Sequence, residues 1–373
     1  MKRISVILLL LLTIFSISYS NTNYVARILT DQNGNFIEGE NITLKHPLAS
    51  LTKMMTILVA IDEVEQGKIA YTDMVKVSRR ADRTGGSSAY LKAGEKISLS
   101  DLMKAVIVRS GNDAAIAIAE YIAGSEDKFV KLMNEKAKEL GMIDTNFYTA
   151  TGLTKDMTGK NLDKSTVKDI AILSSVLLKK DVFMKDADKA KITISKRRKF
   201  ANRNKLIGKV KGVDGLKTGH HSKAQYNVAI TVKRDGLRFI VVSFGSPTEK
   251  IRDKEVTKYI DYAYKTYEKV KIASKGDFAI EIKVKDAVNR KIPLYLGRDI
   301  YGIIDKEKKW NFYKVAYIPK EVTAPVKANE KIGVISVKYR SRVIDEVPLV
   351  SKIDIKKISG FRNFLRIITF NLF

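Results

Sequence analysis

Cysteine is absent from the 373 residues, and histidine is close to absent, with three. Without thiols the chain can form neither disulfides nor a cysteine-based zinc site, so its stability must come from an apolar core. Three histidines with no H-E-x-x-H pattern argue against a zinc hydrolase. No metal and no other cofactor is expected. Acidic residues are also scarce: 41 Asp and Glu stand against 68 Lys and Arg, a formal net charge of +27. From residue 269 onward there are 23 basic residues to 11 acidic, so the excess is denser toward the C-terminus without forming an uninterrupted basic tail. The chain shows no internal repeat and no low-complexity linker.

What is present is a globular composition, 45% hydrophobic and 29% charged, in a chain long enough for two domains. Residues 1–20 read as a signal peptide: "MKR" is a positive start, "ISVILLLLLTIFSI" an apolar run, and "SYS" before Asn21 a small-x-small cleavage site. The run is near the lower limit for a membrane span, and either reading exports the rest of the chain. An exported protein rarely meets nucleic acid, so no nucleic-acid partner is expected despite the charge. Anionic lipid head groups or anionic wall polymers fit it better.

Residues 21–267 mix strand-like and helix-like segments and form a first domain. "NYVARILT" alternates as a strand, and "NGNF" supplies a turn before a second one. "SLSDLMKAVIV", "DAAIAIAEYIAG" and "SEDKFVKLMNEKAKELG" have helical periodicity, the last with Ser125 as cap and Gly141 as stop. "YNVAITVKR" and "LRFIVVSFG" read as strands joined at Asp235-Gly236, and "RDKEVTKYIDYAYKTYEKV" as a helix. The layering implied is an α/β (α+β) domain, an antiparallel sheet flanked by helices. Residues 268–352 change texture: "FAIEIKVKDA", "WNFYKVAYI" and "IGVISVKYRSRVIDEVPLV" are strand-like with no helical window between them, a small all-β domain. Residues 353–373 form a third unit. Phe361, Phe364, Leu365, Ile368 and Leu372 share one helical face, with Arg362 and Arg366 beside it. The segment is too short to span a bilayer and suits a helix lying in the interface of an anionic membrane surface, helped by Lys356 and Lys357.

In "HPLASLTKMMT", residues 46–56, Ser50 and Lys53 stand one turn apart beside an apolar stripe of Leu51, Met54, Met55, Leu58 and Val59. Alone, this is a serine N-cap with an exposed lysine. Two further fragments change its weight. "VRSGNDAA" sets Ser110 and Asn112 in a glycine turn between helical segments, and "GVDGLKTGHH" sets Lys217, Thr218 and Gly219 before a strand. In this order they match the S-x-x-K, S-x-N and K-T-G set of penicillin-binding proteins and class A β-lactamases. The chain resembles a low-molecular-mass penicillin-binding protein, a D-alanyl-D-alanine carboxypeptidase with a β-rich second domain and a C-terminal amphipathic anchor. "GSSAYLKAGE", "AGSEDKFVKLMN", "NFYTATGL", "NRN" and "EKIRDKE" carry the resemblance across essentially the whole mature chain. Three positions depart from the family pattern: His221 stands for threonine, Gln225 for glycine, and "TATGL" is a loose version of its segment.

The resemblance implies a serine β-lactamase/DD-peptidase-like catalytic domain and a serine–lysine acyl transfer. Ser50 would be the nucleophile and Lys53 its base, which requires a neutral amine. Bringing a lysine from about 10.4 to near 7 takes about 4 to 5 kcal/mol, supplied by burial and a second cation such as Lys217. Ser110 would relay the proton to the leaving amine, and Asn112 would hold Lys53 and the substrate amide. Lys217 and Thr218, with Arg203 and Arg252 nearby, would bind the carboxylate of a terminal D-alanine, and the strand from Gly219 would present the His220 N–H to the oxyanion. Structural ion pairs are the plain alternative for both arginines. The implied partners are peptidoglycan stem peptides and, as inhibitors, β-lactam antibiotics; the oligomeric state is open. A β-lactamase of class A deacylates with a glutamate, and none occurs between Glu139 and Glu249. A D-Ala-D-Ala endopeptidase would use the same residues, and a non-catalytic wall-binding scaffold would not need them intact.

Overall fold

The computed structural model describes residues 23–308, 312–339 and 342–358. The signal-peptide segment and the amphipathic residues from 359 onward lie outside the described residues. Ala26–Asp31 (β1) and Phe36–Glu40 (β2) open the first unit. Among the helices that follow are Thr52–Glu65 (α1), Leu99–Lys104 (α2), Asn112–Ala123 (α3), Glu126–Glu139 (α4) and Val167–Leu177 (α5). Val213–His221 (β3), Gln225–Arg234 (β4) and Leu237–Ser246 (β5) complete a sheet in the order β2-β1-β5-β4-β3, antiparallel throughout. Glu249–Thr266 (α6) closes the unit.

Alternation along the strands divides the sheet between two cores. Val228, Ile230 and Val232 of β4, with Phe239 and Val241 of β5, pack on Val256, Tyr259, Ile260 and Ala263 of α6. Ala229, Ile240, Val242 and Phe244 face the larger cluster around α1, α3 and α5. The β4–β5 turn is Asp235-Gly236, both at positive φ (49° and 77°), the backbone a two-residue hairpin demands. Ser98 caps α2, and Ser125 caps α4, by accepting from the N–H three residues on. Helix α1 is buried on every side from Thr52 to Ile61, more than a stripe requires, which makes it the central helix of the unit.

The second unit is all β. Tyr267–Ala273 (β6) pairs with Ile300–Asp305 (β9). Phe278–Lys285 (β7), Lys291–Leu296 (β8), Phe312–Tyr317 (β10), Glu321–Thr323 (β11), Lys331–Tyr339 (β12) and Arg342–Val350 (β13) form a sheet ordered β10-β12-β13-β8-β7-β11. Its core holds Ile282, Val284, Ile292, Leu294, Val337, Val347 and Leu349.

Three boundaries differ from the sequence reading. The helix extended through "YEKV" stops at Thr266, because Tyr267 turns its ring onto Phe239 and its hydroxyl to Glu38, and the chain enters β6. Residues 353–358 lie with the β unit rather than with the terminal segment: Ile355 bridges to Val326, Lys357 bridges to Ala287, and Ile355 enters the second core. Ser50 lies in a 3-10 turn, Ala49–Leu51, ahead of α1, and the cap position belongs to Leu51 without a side-chain bond. Ser50 is therefore not an N-cap. Among the described residues no helix is long and apolar enough to cross a membrane.

Candidate active site

The burial of α1 removes Lys53 from water: it is 1% exposed. Its Nζ donates to Ser50 Oγ at 2.9 Å and to the Thr151 carbonyl at 2.6 Å. Burial lowers its pKa to about 7, while the negative charges of Asp163 and Asp113 work the other way. The amine is thus about half neutral near pH 7, bonded to a half-buried hydroxyl.

Helix α2 runs into a π-helical turn, Ala105–Arg109, and stops at Ser110 with left-handed φ 65° and ψ 32°. This reversal leaves Ser110 4% exposed, with its Oγ 2.9 Å from Lys217 Nζ. Lys217, 3% exposed, also donates to its neighbour's carbonyl, Thr218 O, at 2.9 Å. Burial, then the charges of Lys53, Arg203 and Arg252, hold Lys217 well below the ordinary lysine value. Asn112 opens α3; its Nδ2 donates to Gly85 O at 2.7 Å and its backbone N–H to Ser87 O at 2.7 Å. Its buried Oδ1 has no partner. The expected bond between Asn112 and Lys53 is not formed: Lys53 Nζ donates to Ser50 Oγ and the Thr151 carbonyl, and Asn112 Nδ2 to Gly85 O.

Thr151 was not legible as a site residue. It is delivered by the loop 148–152, which Asp163 pins by accepting from Thr149 N–H, Thr149 Oγ1 and Thr52 Oγ1. Gly152 sits at φ 78°, and a Cβ there would fall 1.9 Å from Ala49 O, so the loop presses on the Ser50 turn. "NFYTATGL" was the available signal, though nothing in it singles out a carbonyl.

Lys217, Thr218 and Gly219 lie within β3, not before a strand, with Lys217 opposite Ala229 and Gly219 opposite Asn227. A Cβ on Gly219 would meet Leu48 O at 2.6 Å and Leu51 N at 3.2 Å. Glycine therefore lets the strand edge touch the Ser50 turn. His220 is exposed and stacks on Tyr226 with ring centroids 3.9 Å apart; burial and the Arg252 charge lower its pKa. His221 Nδ1 accepts from Ala224 N–H at 3.0 Å. Gln225 adopts φ 52°, a conformation that glycine takes without strain, at the position where the family pattern has glycine.

The two arginines part company. Arg252, 2% exposed, bonds Asp253 Oδ1 at 2.9 and 2.6 Å and stands 3.5 Å from Glu249, a buried ion pair whose charge still depresses Lys217. Arg203 is exposed, donates to Ser87 Oγ at 3.0 Å, and has no carboxylate within 4.0 Å among the described residues. The structure thus links Ser50 to Lys53 and Ser110 to Lys217, packs Gly219 on the Ser50 turn, and brings Arg203 and Arg252 near enough to Lys217 for their charges to lower its pKa. A cavity of about 560 Å³ between the two units contains none of them. The cleft offers a hydroxyl beside a depressed amine, a second hydroxyl–amine pair, and cations suited to an anionic chain end.

Comparison with known proteins gives two family matches. The family described as D-alanyl-D-alanine carboxypeptidase matches residues 17–248, and the C-terminal domain of penicillin-binding protein 5 matches residues 267–357. The D-alanyl-D-alanine carboxypeptidase DacF of Bacillus subtilis is 34% identical over 346 residues, covering 91% of this chain and 87% of the relative. The crystal structure of penicillin binding protein 5 from Haemophilus influenzae is similar with a TM-score of 0.75 at 30% identity, over 90% of this chain and 98% of that one. Penicillin-binding protein D2 of Listeria monocytogenes in its ampicillin-bound form is similar with a TM-score of 0.58 at 30% identity, over 64% of this chain and 96% of that one.

Proposed function

Since the chain belongs to the D-alanyl-D-alanine carboxypeptidase family, we propose that Ser50 carries the acyl group in serine-type removal of a terminal D-alanine from peptidoglycan stem peptides. Neutral Lys53 takes the Ser50 proton as Oγ attacks the carbonyl carbon of the penultimate D-alanine. The oxyanion is met by backbone N–H groups at the Ser50 turn and at His220. As the C–N bond breaks, Ser110 passes a proton to the departing amine, and Lys217 resupplies or orients Ser110 through the 2.9 Å bond. Lys217, Thr218 and the charge of Arg203 hold the terminal carboxylate, with Arg252 adding potential from behind. Water then cleaves the Ser50 ester and releases the shortened peptide.

The observation that carries this reading is the 2.9 Å bond between Ser50 Oγ and a buried lysine whose pKa is lowered to about 7. β-Lactams present a comparable carbonyl and carboxylate, so penicillin acylates the same hydroxyl. Export through residues 1–20 and peripheral attachment through the amphipathic residues 359–373 place the enzyme on the outer face of the cytoplasmic membrane. The deciding experiment incubates the purified protein with a pentapeptide ending in D-Ala-D-Ala and measures free D-alanine. Release by the protein and none by Ser50→Ala supports the assignment; equal release by both sinks it.

A further inference from the structure

Beside the cleft, one cation has no part in the chemistry above. Arg109 immediately precedes Ser110, and its side chain lies on the rim. Its Nε donates to Ser88 O at 3.1 Å and its Nη2 to the Tyr90 hydroxyl at 3.3 Å. The guanidinium stands 5.8 Å from the Tyr90 ring centre and 5.6 Å from that of Phe200, beside two rings that stack on each other with centroids 6.2 Å apart. Arg198 is paired with Glu95, and Arg252 with Asp253, while Arg203 has no such partner and serves the leaving-group carboxylate. Arg109 has no carboxylate within 4.0 Å among the described residues.

Its platform is rigid. Asp113 accepts from Ser88 Oγ at 2.7 Å, Ala89 N–H at 2.9 Å and Leu91 N–H at 3.1 Å. Tyr90 is thereby held at left-handed φ 58° and left 60% exposed. A backbone strained this way and clamped from beneath is a positioned surface. The same loop lies against Asn112, whose buried Oδ1 still lacks a donor, so this wall of the cleft has polar capacity that the protein does not use.

We propose that Arg109, on the Tyr90 ledge, is a second anion subsite that takes a carboxylate carried by the substrate on the acyl side of the scissile bond. The side follows by elimination, and the inference rests on the carboxypeptidase reading of the cleft. The leaving group is a single D-alanine whose only anionic group is already met by Lys217 and Thr218. A second anion must belong to the part of the peptide that remains on Ser50. A preorganised, unpaired guanidinium binds it with little loss of side-chain freedom.

The test uses the full protein and two N-acetylated tetrapeptides, X-Lys-D-Ala-D-Ala, identical except that X bears a free carboxylate in one and a carboxamide in the other. For Arg109→Gln, KM for the carboxylate peptide should rise about fivefold with kcat nearly constant, while KM for the amide peptide moves less than twofold. Arg109→Lys should recover at least half of the lost discrimination, and added salt should shrink it in the unmodified protein. Equal KM shifts on both peptides would mean that Arg109 only braces the 88–90 loop, and would overturn the subsite; so would no shift on either. Fluorescent penicillin reports Ser50 separately. If the unmodified protein neither takes that label nor releases D-alanine, the carboxypeptidase reading fails and this inference falls with it.

Discussion

Lys53 is a single methylene-chain amine placed where water cannot reach it, and its protonation state sets the pH at which the site can work. Acylation by fluorescent penicillin should rise with pH through about 7 as the amine loses its proton. Lys53→Ala should cut that rate by about a thousandfold or more while circular dichroism stays native; full retained labelling would refute the base assignment. The same shift has a stability consequence. The folded-state pKa is about 7 and the unfolded value about 10.4, so between these the unfolded chain binds the extra proton. Stability conferred at this position therefore grows as pH rises from 7 to about 10, and Lys53→Met should lack that slope in paired urea titrations. Gly219 acts by having no side chain. In Gly219→Ala the new methyl meets Leu48 O at 2.6 Å, so β3 must withdraw from the Ser50 turn. A loss of about 1–3 kcal/mol in urea unfolding and a sharply reduced penicillin labelling rate are expected.

At the scale of elements, the site is a meeting of four pieces: the turn before α1, the left-handed end of the α2 turn, the loop 148–152, and the strand β3. Asp163 ties the loop to α1 and also places a negative charge near Lys53. Asp163→Asn removes that charge, which had favoured the protonated amine, so the kinetic pKa of acylation should fall below about 7. A pH–rate profile that shifts upward instead would contradict this account. The three motifs were readable because each is local, a turn into a helix, a glycine reversal and a short stretch of one strand. The Thr151 carbonyl was not, because a backbone acceptor leaves no residue-type signature and owes its place to a buried aspartate twelve positions away. Asn112 shows the same limit from the other side: its position in the motif was legible, but its partner was not, since the Gly85 carbonyl that accepts from its Nδ2 lies 27 residues away in the chain.

At the scale of the molecule, the β unit has a core of its own, and the chain past Val350 still belongs to it. Val326 and Ile355 exchange backbone bonds of 2.8 and 3.0 Å, and Ile358 N–H donates to Asp286 O at 2.7 Å. Ending the chain after Ile358 should release the protein from membranes with D-alanine release unchanged on a soluble peptide. Ending it after Lys352 should, in addition, lower the melting temperature of the β unit, because it strips Ile355 from the core at a cost of about 2–4 kcal/mol. Identical melting curves for the two truncations would show that residues 353–358 are not structural. The amino-acid order by itself determined the strand alternation, the helix caps, the β-only second half and the three motifs, because these depend on neighbours a few residues apart. Tertiary structure alone decided that α1 is central, that Lys53 is dry, that Arg252 is paired while Arg109 is not, and where the second unit ends. Burial and pairing are sums over residues distant in the chain, and no local pattern encodes them.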